Sequence, residues 1–296
     1  MNRQPGQRPR ENWAFFFTVS GLLAIVLSLA VMLGKHPATV GQRQESASKP
    51  IEAVEKTASA PVNIVTQPFR VTFPPLPDFS AYRDVSKRKK AFIDYLAPII
   101  QYQNEKILFD RNRLYQVARV ILSGDPLPKN ELQWLRMMAD TYDVEWREDS
   151  PGLVAVYLAR RVDIIPLSLA IVQAAKESSW GRPRYAVEAN NLFGQWCYEE
   201  GCGVVPDDRE PGARHEVRRY DSVSDAARSY IHNLNTHPSY KELREIRQRL
   251  RMLNMPITGR ALAEGLLYYS ERRQTYVEEV KSMIRQFRRF QERRTG

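Results

Sequence analysis

Apolar residues recur along most of this chain at helical spacing. From Asp84 to Leu122 the positions Phe92, Ile93, Leu96, Ile99 and Ile100 share one face, and Pro98 within the run is expected to bend or break the helix. Asn130 to Tyr142 predicts a second helix with Leu132, Leu135, Met138, Ala139 and Tyr142 buried, and Leu153 to Val162 a third. Pro166 can open the next one, in which Leu167, Ala170 and Ala174 align. The pattern then breaks. Asn190, Asn191 and Gly194 mark a tight non-helical passage, and Gln195–Tyr198 and Val217–Tyr220 read as short β runs of a small lobe set between helices. Ser222 to Asp225 has the form of a capping box ahead of a helix over Ala226–Asn235. Helices from Pro238 to about Leu253, Thr258 to Tyr269 and Thr275 to Arg289 complete the chain.

The N-terminus has a different texture. Trp13 to Gly34 carries no charge over 22 residues, enough to cross a bilayer as a helix. It ends without a small-x-small cleavage site, so the expectation is an uncleaved single-pass signal anchor, with residues 1–12 as a cytoplasmic tail. Residues 35–75, rich in Gln, Ser, Thr, Ala and Pro, read as a flexible linker spanning roughly 35 Å as a coil. Residues 76–150 then form an N-terminal helical part and residues 151–290 the main domain.

Composition adds direction. The chain has 296 residues and a net charge of +10, of which +8 lies beyond residue 34. That suits an anionic partner, although Arg and Glu alternate along the helices and no nucleic-acid-binding motif is present. Cys197 and Cys202, the only cysteines, flank a turn. A disulfide across it fits an oxidising compartment; a metal pair is the rival, but His36, His215, His232 and His237 supply no partner motif for zinc. No cofactor or metal is expected.

One residue interrupts an apolar stripe. After Leu167, Ala170 and Ala174, the next position on that face is Glu177. A carboxyl against an apolar wall resists ionising and can serve as a general acid. The alternative is a helix-end Glu turned into water. Ser178, Ser179, Trp180 and Gly181 follow with hydroxyls, an aromatic surface and a helix stop.

Arg161-Val-Asp-Ile-Ile-Pro166, Glu177-Ser-Ser-Trp-Gly181, Asn190-Asn-Leu-Phe-Gly194, Tyr220-Asp-Ser-Val223, Tyr230 through Tyr240, and Tyr269-Ser270 with Tyr276 occur in an order and spacing that resemble the Bax-like branch of the bacterial glucosaminidase domain family, glycoside hydrolase family 73. The resemblance covers about residues 87–290. It implies a lysozyme-like, mainly helical domain with a small inserted β lobe. It implies cleavage of β-1,4 bonds after N-acetylglucosamine in peptidoglycan, with Glu177 as the acid. It maps Asn191, Leu192, Phe193 and Gly194 to the floor of the sugar cleft, and Tyr269 and Tyr276 to a tyrosine motif of which one member assists catalysis. This motif is looser here than the Tyr-Ala-Thr-Asp-Pro form of typical members.

Glycoside hydrolysis also needs a group to manage positive charge at the sugar carbon. The β lobe offers Glu199, Glu200, Asp207, Asp208, Glu210 and Glu216, with Glu216 preferred; failing these, the substrate's acetamido group can act as nucleophile. Trp180, Phe193, Trp196 and Tyr220 can stack on sugars or fill the core. The expectation is a hydrolase of peptidoglycan glycan strands, anchored in the bacterial inner membrane with its domain in the periplasm and binding no nucleic acid. The alternative is an inactive wall-binding or scaffolding module.

Overall fold

The computed structural model describes residues 71–295 except Asp208 and Pro211, so the expected anchor at 13–34 and most of the linker lie outside the described residues. No helix among the described residues is long and apolar enough to cross a membrane. The fold is mainly helical, with nine α-helices among the described residues: α1 (Val85–Ser123), α2 (Lys129–Thr141), α3 (Pro151–Arg161), α4 (Leu167–Glu177), α5 (Arg184–Glu188), α6 (Val223–Thr236), α7 (Lys241–Met252), α8 (Gly259–Ala263) and α9 (Gln274–Thr295). Three short strands, β1 (Trp196–Cys197), β2 (Gly203–Val204) and β3 (Glu216–Arg218), form the inserted lobe.

Helix α1 starts where the Asp84 side chain accepts the Lys87 amide and stops at Gly124 in the left-handed conformation. Of the bend or break expected at Pro98, the break does not occur: the helix continues through it. The ring removes one N–H from the ladder, but Leu96, Ile99 and Ile100 on either side are fully buried and hold the helix in place. The N-terminal half of α1 belongs to a core shared with α4, α6, α8 and α9. Its C-terminal half packs with α2 and α3 in a second cluster. Because α1 runs through both, the division at residues 150 and 151 does not separate two cores.

Helix α4 is buried nearly all round, from Leu169 to Ala175, against α1, α8 and α9. A helix apolar on every side belongs in an interior. Its entry is fixed by a charged cluster. Asp163, 2% exposed, takes Arg251 at 2.8 and 3.1 Å, Arg111 at 3.5 Å and Arg247 at 3.8 Å. Arg111 also donates to the carbonyls of Ala159 and Val162, and Asn235 to that of Asp163. Asn104 exchanges hydrogen bonds with both backbone groups of Ile165. Residues of α1, α6 and α7 thus grip the segment leading into α4.

In the lobe, β3 lies between β1 and β2, antiparallel to both, pairing Trp196 with Val217, Cys197 with Glu216 and Gly203 with Arg218. Cys197 and Cys202 form a disulfide with Cα atoms 6.2 Å apart, which removes both sulfurs as metal ligands. Strand β2 and helix α5 have no counterpart in the sequence reading; with two and five residues they are too short to show a period.

Candidate active site

The C-terminal end of α4 is a sharp corner. Ser178 is buried, its hydroxyl donating to the Ala174 carbonyl at 2.6 Å and accepting the Gly181 amide at 3.0 Å. Ser179, Trp180 and Gly181 all have positive φ. This turn swings Trp180 onto α1, edge-on to Phe92 at 5.5 Å and under the Lys89 ammonium at 5.0 Å. Of the two roles open to Trp180, stacking on a sugar or filling the core, the structure shows it packed against the main core and partly buried, where three left-handed residues reverse the chain.

Glu177 is half-buried just before this corner. Burial pushes its carboxyl up from the usual carboxylate range, against the opposing pull of the Tyr276 hydroxyl and of Lys176. Tyr276, on the first turn of α9, is buried and donates to Glu177 Oε1 at 2.8 Å. Gln173, one helical turn before Glu177 on the same face, donates through Nε2 to the Tyr276 oxygen at 3.0 Å. Tyr230 of α6 donates to Gln173 Oε1 at 2.6 Å. Tyr269 stacks on Tyr276 with centroids 5.3 Å apart and donates to the Phe193 carbonyl at 3.3 Å. Of the two candidate tyrosines, then, Tyr276 touches the Glu177 carboxyl and Tyr269 packs on Tyr276. Burial and the neighbouring Glu177 charge raise both phenols, so both remain protonated donors. Tyr185 of α5 donates to the Glu177 carbonyl at 3.0 Å.

The strip Asn190–Gly194 passes beside the carboxylate. Gly194 has φ +63°, and a Cβ there would lie 3.8 Å from Glu177 Oε2. Asn191 is fully buried; its amide donates to the carbonyls of Gln195 and Arg218, and its oxygen accepts the amides of Phe193 and Gln195. Phe193 is buried and stacked on Tyr230 at 4.2 Å. Both shape the strip from below, since their groups are occupied by the protein. The Tyr220 hydroxyl bonds Gln195 at 2.8 Å and Ser229 at 2.9 Å. Trp196 is 52% exposed and lies flat on His215 at 4.2 Å, offering an open aromatic face.

Glu216 stands differently from the expectation. Only 4% exposed, it accepts the amides of Gly201 and Gly203 at 3.1 and 2.8 Å. These backbone donors hold its carboxyl below the usual range. Both oxygens thus close the disulfide loop. Glu177 lines none of three cavities of about 490, 720 and 360 Å³, and Trp180 lines the smallest of them.

Residues 153–289 match the family described as mannosyl-glycoprotein endo-beta-N-acetylglucosaminidase. The chain is 31% identical over 255 residues to "Protein bax" of Escherichia coli (strain K12), covering 86% of this chain and 88% of that one. This chain belongs to the Bax-like glucosaminidase-domain family. No solved structure matches it. The match begins in α3 and ends in α9, so a glucosaminidase-type glycosidase domain contains Glu177, Tyr269, Tyr276 and the β lobe. Within this Bax-like chain, sequence reasoning passed over Gln173 and Tyr185. The signal for Gln173 was a polar residue four positions before Glu177 inside the apolar run Leu169–Ala175; for Tyr185, in a five-residue helix, there was none.

Proposed function

We propose that this chain is a peptidoglycan hydrolase that cleaves the β-1,4 bond after N-acetylglucosamine, with Glu177 as general acid, held by residues 13–34 at the inner membrane and working in the periplasm. The observation that carries this reading is a half-buried carboxyl with a raised proton affinity, bonded by Tyr276 and flanked by Gly194. Glu177 gives its proton to the leaving oxygen while positive charge develops at the sugar carbon. Glu216 is bound to two backbone amides, which favours the substrate's own acetamido oxygen as the group that attacks that carbon. Glu177, now ionised, then takes a proton from the water that completes hydrolysis. The open face of Trp196 and the bare backbone of Gly194 are the surfaces offered to sugars.

Digestion of purified cell wall with mass spectrometry of the soluble fragments tests this. The parent releases muropeptides with N-acetylglucosamine at the new reducing end, and Glu177→Gln releases none while keeping its fold. Equal release by both rejects Glu177 as the acid. The engagement of Glu216 favours a second reading, a wall-binding module without turnover; sedimentation with peptidoglycan and no soluble fragments from the parent would select it.

A further inference from the structure

Every link in the buried chain behind Glu177 has a direction. Tyr230, almost fully buried, has one phenolic proton and gives it to Gln173 Oε1 at 2.6 Å. The amide oxygen being taken, the amide nitrogen faces Tyr276, and that nitrogen can only donate. The Tyr276 oxygen therefore accepts, and its own proton goes to Glu177 Oε1 at 2.8 Å. In a protonated carboxyl the carbonyl oxygen is the better acceptor, so the oxygen that takes the tyrosine's hydrogen bond is the one without the carboxyl's own proton. That leaves Oε2, the oxygen beside Gly194.

We propose that the chain Tyr230–Gln173–Tyr276 dictates which oxygen of Glu177 carries the acid proton, directing it to Oε2 beside the Gly194 strip, with Tyr230 and Gln173 as positioning residues. This deepens the reading of Glu177 as the acid and rests on it. Tyr230 matters most, although its hydroxyl bonds Gln173 and not Glu177. Without its proton, Gln173 is free to turn its amide over and present oxygen to Tyr276. Tyr276 then donates to Gln173, and Glu177 loses its donor. The other groups facing Glu177 remain in every variant: Lys176 on α4, paired with Glu279 of α9; Tyr185 of α5; Tyr240, in the turn before α7; and Tyr269. Lys176 is the one cation among them.

The test is a carbon-13 NMR titration of glutamate side-chain carboxyls in the full chain, with Glu177 assigned by Glu177→Gln. Tyr276→Phe removes the bond that favours the ionised form, so the Glu177 midpoint moves up. Tyr230→Phe moves it up too, and the double variant goes no further than Tyr276→Phe alone. An unchanged midpoint in folded Tyr230→Phe overturns the proposal. Should that variant not fold, Gln173→Met tests the same direction from the other side: with no amide oxygen to compete for its proton, Tyr276 still donates to Glu177, and a midpoint raised as far as in Tyr276→Phe overturns the proposal. On cell wall, Tyr230→Phe shifts the alkaline limb of the pH–rate profile upward and lowers kcat about tenfold with KM unchanged; lower kcat with an unmoved limb is a merely structural effect and counts against the proposal. The two readings fail separately. Expected titrations with no wall digestion by the parent reject the hydrolase and keep the hydrogen-bond chain. Digestion lost in Glu177→Gln, with an unmoved midpoint in Tyr230→Phe, keeps the hydrolase and rejects the chain.

Discussion

Glu177 is held at a cost to folding. Its folded carboxyl sits above the unfolded value because burial penalises the charge. The folded state therefore binds the proton more tightly, and stability falls as pH rises from the unfolded through the folded value. Glu177→Gln keeps an acceptor for Tyr276 without the charge. Its melting temperature should exceed the parent's at pH 8 and match it at pH 4; a difference independent of pH would contradict this. Under the proposed function the same proton sets the activity profile: cell-wall digestion should decline as pH rises through the Glu177 midpoint, because a general acid must be protonated at the start of the cycle. Gly194 is the other sensitive position. Gly194→Ala forces a side chain into φ +63°, costing about 1 kcal/mol, and sets a methyl against the carboxyl. Digestion should fall more than melting temperature does.

At the scale of elements, the β lobe is too small to hold itself by burial. Its strands have two or three residues, and its own cluster contains only Ala189, Val204 and Val217 beside Tyr185. The disulfide and Glu216 substitute for a core. Cys197→Ser with Cys202→Ser should cost about 2 kcal/mol by the loop-entropy argument, read as a lower denaturation midpoint. Glu216→Gln weakens the same loop by losing the charge on an acceptor of two amides. Because the Glu216 carboxyl is held low, its contribution is present above the unfolded carboxylate range and lost as pH falls through the folded value. Helix α4 shows the opposite economy: Leu169 to Ala175 are so fully enclosed that packing alone specifies it.

For the whole molecule, Asp163 joins α1 and α7 at the entrance to α4. Burial would raise its carboxyl, but Arg247, Arg111 and Arg251 together hold it below the usual range. Asp163→Asn strands a fully buried Arg247, and about 3 kcal/mol or more of stability should go with it in chemical denaturation. This stabilisation is complete above the unfolded carboxylate range and disappears as pH falls through the lowered folded value.

Most helices were legible in the sequence, because a buried helix face repeats its apolar residues at a fixed period. Glu177 was legible for the same reason, as a carboxylate where the stripe of Leu167, Ala170 and Ala174 should continue. Cys197 and Cys202 were readable as a pair across a turn. The persistence of α1 through Pro98 was not, since it depends on burial of Leu96, Ile99 and Ile100 by distant helices. Nor could spacing separate surfaces from supports: Trp196 is open, while Trp180 and Phe193 are packed inward.

The sequence by itself determined the helical character, the insertion of a β lobe and a carboxylate at the end of α4, because each depends on residues near one another in the chain. Tertiary structure alone decided that Tyr276 rather than Tyr269 reaches Glu177, that Glu216 closes a loop, and that Tyr230 and Gln173 stand behind the Glu177 carboxyl. These pairings join positions up to 103 residues apart, and a hydrogen bond across such a separation depends on packing, which leaves no period in the chain.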